Sequence, residues 1–368
     1  MTTWQDKWKE NYNTIDSLAK LQTTETIKVL EEVAKRHPVS IPEYYFNLID
    51  QDDPNDPIRL LSYPSLFEAD QTGDYDTSGE SQNTKMPGLQ HKYGPTALVL
   101  TTNACFMYCR HCFRKRMVGY SNDEISRRMN EAIEYIDSHQ EINNVLLSGG
   151  DSMCMSNEHI RAYLENLSGI DHLSFIRFGS RTPVVFPERI YGDDELLMML
   201  KTYNEKKRII FITQFNHPNE LTAEAKLSIK ALQDIGITVN NQAVVLKNIN
   251  DKPEIMVELL NGLTAMGVDP YYVFHCRPVK AVKAGFQLTL IETYRLMEAT
   301  RPHLNGISKR FRLIMSHIRG KIEIMAADDE NMIFKFHQAK SVEDNEKVFI
   351  RKIDFNGKWL DEDLEFIK

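Results

Sequence analysis

Cys105, Cys109 and Cys112 are three of the chain's five cysteines, and they lie together in ACFMYCRHCFRKR at a C-x3-C-x2-C spacing. Thiolate is the ligand that iron–sulfur clusters and zinc prefer, so this stretch reads as a metal loop. A structural zinc site takes four protein ligands, commonly as two short pairs, and no second C-x2-C pair occurs in the chain. His111 could complete a zinc tetrahedron, which keeps a zinc-stabilised binding module open at this point. On three cysteines, a four-iron cluster keeps one iron without a protein ligand, free to take a substrate or cofactor. Arg110, Arg114, Lys115 and Arg116 supply local positive charge, which favours thiolate over thiol. Cys154 and Cys276 are isolated and read as packing residues.

The elements that position this loop follow a regular alternation. Short apolar runs begin at Ala97 (ALVLTTN), Asn143 (NNVLLSGGD), Ser174 (SFIRFGSRTPVV), Arg208 (RIIFITQFNHPNE), Thr238 (TVNNQAVVL) and Tyr271 (YYVFHC), each followed by a helical pattern. The first helix is expected to start at a capping box of Ser121 and Glu124 and to carry Ile125, Met129, Ile133 and Ile136 on one face. Later helices are expected around Ile160 and Leu164, over 195–203, over 222–235 up to Gly236, from Pro253 to before Gly267, and over 290–297. Consecutive βα units imply a parallel sheet with right-handed crossovers. The fold class is α/β: a partial (β/α)6 TIM-like barrel over 89–300, an N-terminal helical and irregular extension over 1–88, and a small β-containing segment over 301–368.

Within the extension, Ile27, Leu30, Val33 and Ala34 predict a helix that stops near Pro38. Pro54, Pro57 and Pro64 then prevent long regular elements. Residues 71–85, rich in Gly, Asp, Ser and Thr, read as an exposed loop. The reactive residue types fall at the carboxyl ends of the strands, where barrels carry their active sites. They are the cysteine loop, Gly149-Gly150-Asp151, Gly179-Ser180-Arg181, Gln214 to His217, Asn241-Gln242 and Cys276-Arg277.

Composition narrows the class. Lys and Arg number 44 against 52 Asp and Glu, a net charge of −8, which argues against a general nucleic-acid binder. Hydrophobic residues at 42% and charged residues at 26% are those of an ordinary globular protein. The opening MTTWQDKWKENYNTIDSLAK lacks a signal peptide's apolar core, and no run approaches the ~18–20 apolar residues that cross a bilayer. The expectation is a cytoplasmic protein with no membrane partner, in keeping with the sparse cysteines.

These residues resemble the radical S-adenosylmethionine enzymes and, more narrowly, the lysine 2,3-aminomutase family. The resemblance runs from about 44 to 355, through YYFNLIDQDDPNDPIR, PGLQHKY, CFMYCRHCFRKR, VLLSGGD, GSRTPVVFPERI, FNHPNE, NQAVVLKNIND and PYYVFHC. It implies a [4Fe–4S] cluster on Cys105, Cys109 and Cys112, whose open iron binds S-adenosylmethionine and cleaves it to a 5′-deoxyadenosyl radical. Ser148, Gly149, Gly150 and Asp151 would face the methionine part, the glycines letting backbone approach it. His111, Ser180, Arg181, Gln214 and Gln242 would line the rest, although the family tends to have His where Gln214 stands. An electron donor such as flavodoxin or ferredoxin and a homo-oligomer are further implied.

The aminomutases also carry pyridoxal 5′-phosphate as a Schiff base on a lysine. SHIRGKIEI makes Lys321 the candidate, with Tyr93 and Tyr271 matching aromatic positions near the pyridoxal ring. Where the family has a run of glycines, this chain has only Gly320, and two phosphate-holding arginines correspond to Lys92 and Thr96. Lys92 and Arg319 are the expected electrostatic compensation. Arg114 matches the arginine that pairs with the substrate's α-carboxylate. Lysine enzymes place aspartates around the distal ammonium. Here Arg277 stands at the first such position and Met315 or Ser316 near the second, which disfavours lysine and points to a non-lysine, acidic amino acid. The alternative is a radical enzyme without pyridoxal phosphate, acting on another small molecule or a peptide.

Overall fold

A computed structural model describes residues 3–15, 24–119, 123, 125 and 128–368. One twelve-stranded sheet runs in chain order: β1 (Thr84–Met86), β2 (Leu89–Tyr93), β3 (Thr96–Thr102), β4 (Asn144–Gly149), β5 (Phe175–Gly179), β6 (Arg208–Thr213), β7 (Thr238–Val245), β8 (Asp269–His275), β9 (Arg312–His317), β10 (Gly320–Ala327), β11 (Asn331–Ala339) and β12 (Val348–Lys352). The steps from β3 to β9 are parallel, and β1–β3 and β9–β12 are antiparallel. The sheet stays open, a partial barrel.

The six expected βα units are present, with helices Met129–Ser138, Asn157–Ser168, Asp194–Lys206, Ala223–Asp234, Pro253–Ala265 and Leu290–Thr300 after β3 to β8. Their apolar stripes pack on the sheet: Leu196, Met199 and Leu200, for example, are buried on one face of the third. Ser156, Asp193, Thr222 and Thr289 cap four of these helices by accepting a backbone N–H in the first turn. The first of the six starts at Met129 behind an Arg128 whose side chain makes no cap, so Ile125 precedes the helix, while Met129, Ile133 and Ile136 belong to it. Ser121 and Glu124 lie outside the described residues.

Two features depart from the expectation. A seventh parallel strand, β9, pairs with β8 through Tyr272↔Arg312 and Phe274↔Ile314, so the antiparallel C-terminal strands continue the barrel sheet. Thr182-Pro183-Val184-Val185 does not extend β5 but forms a short helix, since Pro183 in its first turn is already set for helical φ.

The extension holds the cysteine loop. Phe106 packs at 4.9 Å from the Trp8 ring and 5.8 Å from Trp4, and its carbonyl accepts from Asn11 at 2.8 Å and Ser40 at 3.1 Å. The helix Thr24–Arg36 ends before Pro38 as expected. Among the described residues no helix is long and apolar enough to cross a membrane.

Candidate active site

A cavity of about 790 Å³ opens at the carboxyl ends of the strands, and the three cysteines, His111, Arg114, Ser148 to Asp151, Ser180, Arg181, Gln214, Gln242, Lys92, Tyr93, Tyr271, Arg277 and Lys321 line it. The cysteine loop forms one wall. Burial pushes the Cys112 thiol up to about 11 and raises that of Cys105 well above the ordinary range. A metal centre that binds thiolate must therefore supply the charge that offsets this cost. Among the described residues no three His, Cys, Asp or Glu side chains converge as ligands of a single ion do. A four-iron cluster takes each cysteine on a different iron and asks only that the three open on a common space, which they do.

Two cations of the loop play the part read from the sequence, since Arg114 and Lys115 pull the Cys112 thiol down against the larger effect of burial, and all four also take a carboxylate partner. Arg110 and Lys115 both end on the buried carboxylate of Glu68, at 2.7 and 2.6 Å, while Arg114 and Arg116 end on Glu80 at 3.0 and 2.7 Å. The loop's positive charge thus also anchors it to the preceding segment. The guanidinium that does reach a cluster cysteine is Arg181, whose Nη1 lies 2.8 Å from Cys109 Sγ. Glu68→Ala is expected to destabilise the fold by about 3–5 kcal/mol, because two buried cations lose their shared partner. The urea midpoint of the variant checks this.

The next wall is built from strand ends. A Cβ on Gly149 would lie 2.3 Å from Thr102 O, and one on Gly150 would lie 2.2 Å from Ala104 O. Their smallness thus serves the entry to the cysteine loop, to which Gly150 N and Asp151 N donate at 2.6 and 2.8 Å. Asp151 is a strut between strands, accepting from Ser180 Oγ at 2.6 Å, Arg181 N at 2.8 Å and Met153 N at 2.9 Å. Burial raises its pKa while these hydrogen bonds pull the other way. Arg181 is fixed by Glu220, by Gln214 O at 3.0 Å and by Tyr45 Oη at 3.3 Å. His111 is kept neutral by burial, which takes its pKa to about 3, with Gln214 nearby opposing. Asn216 Nδ2 donates to its Nε2 at 3.3 Å, and the buried Nδ1 has no hydrogen-bond partner among the described residues. That orphaned atom suits a polar cofactor group, and Gln214 and Gln242 line the same space.

Toward the substrate end, Arg114 and Arg277 share the ring of Phe113, with their guanidinium carbons 4.6 and 4.0 Å from its centroid. Arg277 enters the cavity and donates to Ser78 Oγ and Ser316 Oγ, both at 2.9 Å. Burial lowers its pKa to about 10. It has no ion-pair partner among the described residues. Arg114 uses four of its five N–H groups: Nε and Nη2 donate to Glu80 at 3.2 and 3.0 Å, and Nη1 to Ser148 Oγ and Gly149 O at 3.3 Å. Residues 71–85 are therefore not simply an exposed loop, since Ser78, Glu80 and Asn83 are buried and line the cavity. Glu68 does carry a sequence signal, the S-x-x-E capping box it forms with Ser65.

At the far end, Lys321 Nζ donates to Gln338 Oε1 at 2.8 Å and stands 4.6 Å from the Tyr93 ring and 5.8 Å from that of Tyr272. Burial, with Arg177 and Arg277 nearby, lowers its pKa to about 7. Tyr272, rather than Tyr271, is the second aromatic beside it. Tyr271 is 37% exposed and stacks on Tyr272 at 3.9 Å. The cause is a register shift between β7 and β8, where Asn241↔Pro270 is followed by Gln242↔Tyr272 and strand alternation breaks at Tyr271. Lys92, its pKa lowered by burial to about 7, is committed to Ser78 O at 3.0 Å and His317 O at 2.7 Å. Arg319 turns to Asp344 and Glu362 O and does not line the cavity, so it supplies no compensating charge there. Arg177, unforeseen from the sequence, does line it. Its Nη2 donates to Asn144 at 2.5 Å and its buried Nε has no hydrogen-bond partner among the described residues.

The model of the Radical SAM superfamily matches residues 99–260. A provisionally named L-lysine 2,3-aminomutase of Aquifex aeolicus (strain VF5) is 41% identical over 340 residues, covering 92% of this chain and 91% of its own. The L-lysine 2,3-aminomutase of Clostridium subterminale is 36% identical over 82% of this chain and 73% of its own. The glutamate 2,3-aminomutase of Clostridioides difficile (strain 630) is 34% identical over 82% of this chain and 72% of its own.

Proposed function

The chain belongs to the lysine 2,3-aminomutase family of radical S-adenosylmethionine enzymes, and from that premise we propose that it is a pyridoxal-phosphate-dependent 2,3-aminomutase of a non-lysine, acidic α-amino acid. The family is one of isomerases, and a [4Fe–4S] cluster and S-adenosylmethionine are its cofactors. When bound, the cluster and S-adenosylmethionine supply a carbon radical that takes hydrogen from an unactivated carbon, and pyridoxal phosphate delocalises an unpaired electron beside an amine.

The chain's own residues divide the work. Cys105, Cys109 and Cys112 would hold the cluster, with the Arg181 guanidinium on Cys109 Sγ fixing that thiolate. His111 Nδ1, Ser180, Gln214 and Gln242 would line the S-adenosylmethionine site. Lys321 offers an amine that is half neutral near pH 7, flanked by Tyr93 and Tyr272 for a planar ring. Arg177, with an unpartnered buried Nε, is the donor available to an anion such as a phosphate. The open wall of the sheet excludes little water by itself, and Phe113, stacked under both substrate-end guanidiniums, shields their apolar faces. An electron donor of the flavodoxin or ferredoxin type and a homo-oligomer complete the proposal.

The observation that carries the reading is Arg277: a cation in the cavity whose hydrogen bonds go to the hydroxyls of Ser78 and Ser316, with the Phe113 ring against it and no ion pair to a carboxylate among the described residues. An ammonium side chain would meet it as a like charge, whereas a carboxylate would complete it. The reading without pyridoxal phosphate draws on Lys92 and Arg319, which are spent on other partners and leave few donors for a phosphate. Borohydride reduction in the presence of pyridoxal phosphate, read by peptide mass spectrometry, separates the two. The adduct is expected on Lys321 and is expected to grow as pH rises through about 7, because the lowered pKa makes the amine neutral above that value. No adduct at Lys321 would favour the other reading.

A further inference from the structure

The guanidiniums at the substrate end are not equally free. Arg277 donates to neutral hydroxyls, whereas Arg114 gives Nε and Nη2 to Glu80 Oε1 and Nη1 to Ser148 and Gly149. A carboxylate of the protein thus sits on the arginine that the proposed function assigns to the substrate's α-carboxylate. Its other oxygen, Oε2, accepts from Arg116 Nη2 at 2.7 Å. Glu80 can therefore let go of Arg114 and keep one ion pair. Burial works against its charge, but Arg114, Arg116 and Arg277 together hold its pKa below the ordinary value. Asp151, the other carboxylate lining the cavity, is consumed by Ser180, Met153 and Arg181.

We infer that Glu80 is a specificity-determining residue, an internal competitor for Arg114 that every α-carboxylate must displace, so that only amino acids with a second anionic group bind well. The inference rests on the proposed pairing of Arg114 with the α-carboxylate and of Arg277 with the side chain. An amino acid with one carboxylate merely exchanges it for that of Glu80 and loses its own freedom of motion, so it gains little. A second carboxylate on Arg277, which has no ion-pair partner among the described residues, supplies the difference.

The local backbone suits such an exchange. Glu80 opens a four-residue helix, Glu80–Asn83, behind Gly79 at φ 65°, and Asp76 anchors it by accepting from Glu80 N and Ser81 N at 2.6 and 2.9 Å. The side chain can swing while the helix stays. The same segment meets Arg277 through Ser78 Oγ and Lys92 through Ser78 O. Events at Glu80 are therefore tied to both ends of the cavity.

Calorimetric titration of the anaerobically reconstituted holoenzyme, loaded with S-adenosylmethionine, tests this with L-glutamate and its neutral isostere L-glutamine as probes. The unaltered protein is expected to prefer L-glutamate by about tenfold or more. In Glu80→Gln both probes are expected to bind more tightly, L-glutamine the more so, and the preference to shrink several-fold. Arg116→Gln leaves Glu80 with Arg114 alone, so both probes are expected to weaken while iron content is unchanged; this second variant decides the matter should Glu80→Gln not fold. An unchanged ratio in Glu80→Gln, or no weakening in Arg116→Gln, overturns the inference. If Arg277→Gln retains the preference for L-glutamate, the substrate reading beneath it fails instead.

Discussion

Alanine at Cys105, Cys109 or Cys112 is expected to reduce cleavage of S-adenosylmethionine to background and to strip most of the cluster iron. Each of these thiols lines the cavity, and the loop that carries them has no fourth cysteine to substitute. Burial raises the thiols of Cys105 and Cys112, so neither is a thiolate on its own account. Their ionisation depends on the iron they bind, and losing one ligand weakens the charge balance for the other two. Cys276→Ala is the control: that thiol is buried with its Sγ 3.7 Å from Arg277 O and is not part of the C-x3-C-x2-C loop, so full iron loading is expected. Iron and sulfide analysis, with visible absorbance of the anaerobic protein, checks both. Full iron in Cys109→Ala would contradict the assignment.

Arg277→Gln is expected to lower kcat/KM for an acidic amino acid by on the order of 100-fold, with S-adenosylmethionine binding and iron content unchanged. The effect is large because a substrate carboxylate brought into the cavity at that place without Arg277 meets the Ser78 and Ser316 hydroxyls and the face of Phe113, with the Glu80 carboxylate nearby. Two hydroxyls do not replace a guanidinium for a desolvated anion. The loss should fall mainly on KM, since the contact is present in the bound substrate as well as the transition state. The variant is not expected to turn over lysine, because glutamine in place of Arg277 removes the repulsion without supplying the carboxylate that an ammonium needs.

Much of this site was legible because it is written at strand ends. A parallel sheet with helices on its face gathers the carboxyl ends of β3 to β8 in one place, so residues scattered from Cys105 to Arg277 could be assigned to one cavity from periodicity alone. What escaped depends on partners distant in sequence. Glu80 lies in a polar, glycine-containing stretch whose composition reads as exposed, and only Arg114 and Arg116, more than thirty residues on, bury it. The loop cations act on Cys112 as their charge implies, but that they are also paired with Glu68 and Glu80 is a tertiary fact. Tyr272 was displaced in favour of Tyr271 by a register shift between two strands, which no single-strand pattern reports. The strand β9 was missed because the irregular stretch after the sixth helix hid that FRLIMSH returns parallel to β8.

The most direct measurement is anaerobic incubation of the reconstituted holoenzyme with S-adenosylmethionine, dithionite and single amino acids, followed by chromatographic analysis for the β-amino isomer. An acidic amino acid such as L-glutamate is expected to be isomerised while L-lysine is left essentially untouched. Efficient isomerisation of L-lysine with acidic amino acids inert would contradict it, and would mean that Arg277 does not face the substrate's side chain.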